Sequence, residues 1–163
     1  EMFLKEYLDY SEKIKKKKFS KINVLKLLNE VITSSKLLEK KTRILCSSKI
    51  YFSTYKNYLY RVIFNLVENA SKFGTSINIK VSKRLKSLII EIEDDGPGIP
   101  DNDKSNVFKP FYKIDNSRNM NAGGSGLGLS IANELIKTLH GEIKLRDSKK
   151  TKGSIFSIIL TEI

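Results

Sequence analysis

The feature that most restricts how this chain can fold is a glycine-dense loop, Gly123-Gly124-Ser125-Gly126-Leu127-Gly128-Leu129-Ser130, that runs directly into a helical pattern. Apolar residues at 127, 131, 132, 135, 136 and 139 share one face of a 3.6-residue period, so a helix follows the loop and must bury that face. Glycines allow close approach of the backbone to a ligand, and the free N–H groups of a first helical turn favour an anion. The stretch therefore outlines a phosphate cradle. It is not a Walker loop, because no Lys-Ser or Lys-Thr follows the last glycine, and its Gly-x-Gly-x-Gly spacing is not that of a dinucleotide fingerprint. Taken alone, it fits a plain hinge ahead of a helix equally well.

The rest of the chain supplies alternating elements. Phe3, Leu4, Tyr7, Leu8, Ser11 and Ile14 trace one face of a helix over 1–14, and the Lys15–Lys18 run then reads as a linker. Phe19–Ile22 reads as a short strand, with Asn23 as N-cap of a helix over Val24–Lys36. Arg43–Cys46 and Ile50–Phe52 are short β-prone runs. Ser53 or Thr54 is placed to cap a long helix to about Phe73, with Gly74 expected in the left-handed closing position. Ile77, Ile79 and Val81 alternate with polar residues, and Leu88–Glu93 follows a turn, which is a hairpin. From Asp101 to Ala122 the pattern is weak and polar, which suits a functional lid more than packed structure. Gly141–Leu145 and Ser154–Leu160 read as closing strands.

Three groups of residues carry chemistry. Asn65, Asn69 and Lys72 are spaced i, i+4, i+7 and share one helix face; two amide oxygens and an ammonium suit Mg²⁺ and phosphate better than a core. Asp94 ends a strand ahead of two glycines, where a carboxylate in an open cleft can meet a flat ligand edge. The glycine loop is the third.

Asn65-Leu66-Val67-Glu68-Asn69-Ala70-Ser71-Lys72-Phe73, Asp94-Asp95-Gly96-Pro97-Gly98-Ile99, Val107-Phe108-Lys109-Pro110-Phe111 and Gly124-Ser125-Gly126-Leu127-Gly128-Leu129 resemble, in order, the N, G1, F and G2 boxes of the ATP-binding catalytic domain of bacterial sensor histidine kinases. The resemblance covers about 19–163, and within the family it is closest to the osmosensing, porin-regulating kinases. It implies an α+β, two-layer Bergerat fold: a mixed five-stranded sheet with three helices on one face and an ATP lid over about 101–122. Residues 1–18 are then the end of a dimerisation and phosphoacceptor helix plus linker. The implied cofactors are ATP and Mg²⁺. Carried over, Asn69 ligates Mg²⁺ and Asn65 assists; Lys72 reaches a phosphate; Phe73 packs near the nucleotide. Asp94 accepts from the adenine amine, which selects adenine over guanine because a carboxylate cannot donate to a carbonyl. Gly96, Gly98 and Ile99 shape the base site, Phe108 and Phe111 anchor the lid, and Lys113 or Arg118 meets the γ-phosphate. Gly124, Ser125, Gly126, Leu127 and Gly128 wrap the phosphates.

Hydrolytic relatives carry a glutamate four residues before the Mg²⁺ asparagine. Here that position is Asn65, which is no general base at neutral pH, so the resemblance implies phosphotransfer. Glu68 lies one residue off the Asn65–Asn69–Lys72 stripe and reads as structural or solvent-facing. The phosphoacceptor histidine is absent: His140, the sole histidine, sits where a helix end is closed. The implied partners are the parent kinase's histidine-bearing domain and a downstream response regulator, within a homodimeric parent in the bacterial inner membrane whose cytoplasmic part this soluble stretch forms. An anti-sigma-type serine kinase of the same fold and a catalytically silent nucleotide-binding adaptor are the alternatives. The net charge of +12, from 30 Lys and Arg against 18 Asp and Glu, is scattered lysine and reads as a solvated face without nucleic acid as partner. Cys46, the single cysteine, fits a reducing compartment, and no apolar run approaches the ~18 residues of a membrane span.

Overall fold

The computed structural model describes residues 18–35, 40–114 and 124–162; the helix expected over 1–14, Arg118 and residues 115–122 of the expected lid lie outside them. The elements are β1 (Phe19–Asn23), α1 (Val24–Ser34), β2 (Lys41–Leu45), β3 (Tyr51–Tyr55), α2 (Lys56–Phe73), β4 (Ser76–Arg84), β5 (Ser87–Asp94), α3 (Gly128–Thr138), β6 (Glu142–Asp147) and β7 (Ser154–Thr161). β2-β4-β5-β7-β6 form a five-stranded sheet in which only the β2–β4 pair is parallel, and β1 pairs with β3 in a separate antiparallel ribbon. The expected α+β fold with a mixed five-stranded sheet is present.

Alternation decides the layers. Ile77, Ile79 and Val81 of β4, Leu88, Ile90 and Ile92 of β5, and Phe156, Ile158 and Leu160 of β7 are in register and buried on one face. Val24, Leu27, Leu28 and Val31 of α1, Leu59, Val62, Ile63, Leu66, Val67 and Ala70 of α2, and Ala132, Leu135 and Ile136 of α3 cover that face in one core. The opposite face is mixed, with Ile89, Ile155 and Ile159 among polar residues and Arg146 donating to Glu91 at 2.7 Å.

Local expectations and structure part at three places, and one pairing is decided only by the tertiary structure. Asn23 does cap α1, accepting from the Lys26 N–H at 2.9 Å, although the helix ends at Ser34. Neither Ser53 nor Thr54 caps α2; both are drawn into the β1–β3 ladder, and Tyr55 precedes the helix without a side-chain bond. Gly74 is extended (φ −101°), not left-handed. Its lack of a side chain serves close approach instead, since a Cβ there would lie 3.0 Å from Asp95 Oδ1 and 3.1 Å from Asp94 Cβ. The left-handed closure occurs at α3, where His140 (φ 56°) donates its N–H to Lys137 O and Gly141 donates to Ile136 O, each at 2.9 Å. The His140 side chain is exposed, and it is the residue's backbone that closes the helix. Finally, β2 and β3, adjacent in sequence, enter different sheets.

Candidate nucleotide-binding site

Between α2, the C-terminal end of β5 and the start of α3 lies a cavity of about 370 Å³. α2 contributes Arg61, Phe64, Asn65, Glu68, Asn69, Lys72 and Phe73 to its wall; the β5 end contributes Asp94, Pro97, Gly98 and Ile99. Tyr112 and Lys113 close one side, and the floor of the loop is Gly124, Ser125, Gly126, Leu127, Gly128 and Leu129. Three sequence-predicted groups, separated by tens of residues, thus face one space. A wider, open groove of about 870 Å³ along α1, β3 and α2 contains none of these motif residues.

At one end, Asp94 occupies the next inward position after Leu88, Ile90 and Ile92, a carboxylate where the strand pattern otherwise demands an apolar residue. It is therefore 5 % exposed, not set in an open cleft as its strand-end position suggested. Its Oδ1 accepts from the Gly96 N–H at 2.9 Å and from the Ser154 N–H at 3.4 Å, and Thr151 Oγ1 donates to its carbonyl at 3.1 Å. Burial raises the Asp94 carboxyl above the ordinary range, opposed by those two backbone donors. The β6–β7 turn is what fixes it. A Cβ on Gly153 would sit 2.0 Å from Asp94 O, and one on Gly98 (φ 78°) 2.5 Å from Lys152 O, so both glycines are sites of backbone contact.

At the other end, Asn65 is buried and its Nδ2 has no hydrogen-bond partner, the sole such side-chain atom among the described residues. A buried amide donor left unpaired costs ~1–3 kcal/mol and calls for an acceptor from a ligand. Lys72 Nζ lies 2.5 Å from where a Gly124 Cβ would be, so the glycine makes room for the ammonium against the loop. α3 starts without a side-chain cap, and Leu127, Gly128 and Leu129 line the cavity, leaving first-turn N–H groups free for an anion. Among the described residues no three His, Cys, Asp or Glu converge on one point. A cation here would take one or two protein oxygens and complete its shell from phosphate, which is how Mg²⁺ is commonly held. The residues present fit Mg-nucleotide: an orphaned amide, an ammonium, uncapped N–H groups and a carboxylate at the far end.

Not every predicted residue reaches the wall. Gly96 stands behind Asp94, holding its Oδ1. Phe108 packs edge-on against Phe156 at 6.2 Å, leaving its neighbour Val107 to line the cavity. Phe111 is 61 % exposed in a left-handed conformation (φ 62°), with its N–H donating to Gly126 O at 3.0 Å. It joins the first part of the expected lid to the glycine loop through backbone. The first part of the expected lid is held: Lys104 bonds Asp101 at 2.6 Å and Asp147 at 2.9 Å, and the Tyr112 hydroxyl bonds Asp103. Sequence reasoning missed Arg61, Phe64, Thr151, Gly153 and Ser154. It also set Glu68 aside, yet Glu68 lines the cavity. Arg61 lay one turn before Asn65 on the same stripe and was findable; the β6–β7 turn had no local signal.

Fold and cavity together define the class, a two-layer α+β domain that binds its ligand between two helices and the end of a sheet. The family described as histidine kinase-, DNA gyrase B-, and HSP90-like ATPase matches residues 54–162, and the chain belongs to that family. The signal transduction histidine-protein kinase ArlS of Staphylococcus aureus is 46 % identical over 96 residues, covering 57 % of this chain and 21 % of ArlS. The chain thus spans about a fifth of the length of such relatives. The catalytic domain of histidine kinase ThkA superimposes with a TM-score of 0.75 at 22 % identity, covering 89 % of this chain and 96 % of that one. Full-length ShkA in complex with AMPPNP gives 0.71 at 19 % identity, covering 89 % of this chain and 31 % of ShkA. At these identities the likeness to the solved structures establishes the fold.

Proposed function

We propose that this chain is the ATP-binding catalytic domain of a two-component sensor histidine kinase. It binds Mg-ATP in the α2–α3 cavity and donates the γ-phosphoryl group to a histidine on a separate dimerisation domain. The observation that carries this reading is one cavity lined by a buried carboxylate, an unpartnered buried amide, an ammonium and an uncapped helix start. Asp94 accepts from the adenine amine, Phe73 and Ile99 pack on the base, and Asn65, Lys72 and the 124–128 loop hold the phosphates. Asn69 is the protein ligand for Mg²⁺, which when bound neutralises phosphate charge as phosphoryl transfer requires. Lys113, which lines the cavity, is on this reading a cation for the γ-phosphate. Arg118 shares that expectation from sequence, and Arg61 joins as a third candidate.

Membership in a family that includes ATPases leaves hydrolysis as the competing chemistry. Asn65, four residues before Asn69, favours transfer, because an amide takes no proton from water. Glu68 is the carboxylate a hydrolytic reading must use. No helix of the described residues is long and apolar enough to cross a membrane. Attachment to a membrane and dimerisation belong, on this reading, to other parts of the parent, and a response regulator receives the phosphoryl group downstream.

Titration with a non-hydrolysable ATP analogue plus Mg²⁺, beside GTP, tests the pocket. Labelled ATP and a histidine-bearing acceptor domain then test transfer. Saturable adenine-selective binding and an acid-labile phosphoprotein are expected. Steady ATP turnover without acceptor, abolished by Glu68→Gln, would establish hydrolysis instead, and no binding would leave a silent adaptor.

A further inference from the structure

At the end of the sheet away from the cavity stands a feature that nucleotide chemistry does not use. The β4–β5 hairpin turns at Leu85, which is 96 % exposed with φ 52°. A leucine gains nothing there: its side chain is in solvent, and the left-handed backbone favours glycine or asparagine. Arg84 and Lys86 flank it and are exposed. Beneath the tip, Lys83 Nζ bonds Tyr51 O at 2.8 Å and the Glu162 carboxylate at 2.9 Å, while Lys21 lies 5.9 Å over the ring of Tyr51. The Glu162 N–H donates to Lys86 O at 2.7 Å, tying the end of β7 to the turn. Lys83 is thus paired with Glu162, while Arg84 and Lys86 at the tip and Lys21 beside Tyr51 add positive charge to this end of the sheet.

We propose that this basic, leucine-tipped hairpin is a docking surface for an anionic lipid bilayer. Leu85 enters the headgroup boundary, Arg84, Lys86 and Lys21 meet lipid phosphates, and Tyr51, 46 % exposed, lies at the interface. Charge complementarity alone would admit nucleic acid or an acidic protein. An apolar apex flanked by cations complements a boundary with phosphates outside and hydrocarbon beneath, which neither a nucleic acid nor a purely acidic surface offers. The eight residues of β5 between tip and Asp94 span roughly 24 Å, so docking by the tip leaves the cavity facing away from the surface.

The chain contains no tryptophan, so Leu85→Trp is a lone fluorescent reporter. Phosphatidylcholine vesicles with and without phosphatidylglycerol are the probe. A blue shift only with the anionic vesicles is expected; in vesicle co-sedimentation of the otherwise unchanged chain, partitioning should weaken on the order of 100-fold with Arg84→Glu/Lys86→Glu and roughly tenfold with Leu85→Asn. Leu85→Asn relieves the turn and should melt no lower than the parent, which separates lost docking from lost folding. Lys137→Glu/Lys144→Glu, the same charge change elsewhere, should cost much less. An unshifted tryptophan, equal binding to neutral vesicles, or equal cost from the two double reversals each overturns the proposal.

Discussion

Replacing Asp94 with asparagine changes one atom of the cavity wall and leaves the rest of its bonding available. Oδ1 carries both protein bonds, from Gly96 and Ser154, and an asparagine Oδ1 accepts two donors equally well. Oδ2, which takes no hydrogen bond from the described residues, becomes an NH₂ facing the ligand. For stability, exchanging charge-assisted for neutral bonds loses ~1–2 kcal/mol, and relieving a buried charge returns a similar amount. The net is within ~1 kcal/mol, or about 2–4 °C in Tm for a domain of this size. For binding, a donor now meets the adenine amine, another donor, with loss of a charge-assisted bond worth ~1.5–3 kcal/mol and an unpaired group on each side. Affinity for the ATP analogue should fall on the order of 100- to 1000-fold. The pH dependence has a definite sign. Because the folded carboxyl is raised, its contribution is fully present below the unfolded value near pH 4 and is lost as pH rises through the folded value. The variant should therefore gain stability relative to the parent from acid to neutral pH. Calorimetric titration and melting across that range are the assays. An Asp94→Asn chain that is unfolded, or that binds ATP as tightly as the parent, refutes the placement of this carboxylate.

Other substitutions probe the remaining parts. Asn65→Ala removes the unpartnered amide, so the melting temperature should hold within a few degrees while analogue affinity falls tenfold or more; a large drop in stability would show that the amide is paired in the free protein. Gly153→Ala places a Cβ against backbone atoms of Asp94 that no rotamer change can move, and should cost ~2–4 kcal/mol and abolish binding. Gly128→Ala, whose nearest such contact is Asn65 Cβ at 4.0 Å, should leave thermal stability nearly intact, so equal melting of the two would discredit the steric account. Asp95 accepts from Thr75 N at 2.7 Å, Thr75 Oγ1 at 2.9 Å and Ser76 N at 2.9 Å, which hold its carboxyl below the usual range, the Ser76 N–H most of all. Asp95→Ala should cost ~1–2 kcal/mol at neutral pH, tempered by solvent. That contribution is present above the unfolded value and is lost as pH falls through the lowered folded value, so denaturation curves of the two should converge in acid.

Periodicity within single segments was enough to read the three described helices, the β4–β5 hairpin and the closing strands, because each is specified by residues a few positions apart. The Asn65–Asn69–Lys72 stripe and the glycine loop were legible for the same reason, and four ordered motifs tied them to a family. What depended on distant pairing was not legible. β2 and β3 look alike locally, yet one finds β4 and the other β1. Gly74 looks like a left-handed helix end, but the strand that follows draws it extended, and His140 takes that conformation instead. Asp94 looks like a solvent-facing strand end until Ser154, 60 residues away, donates to it and the β6–β7 turn closes over its backbone. Local sequence determines which face of an element is apolar; only packing decides which polar group is sealed behind it, because desolvation is a property of everything that surrounds the group.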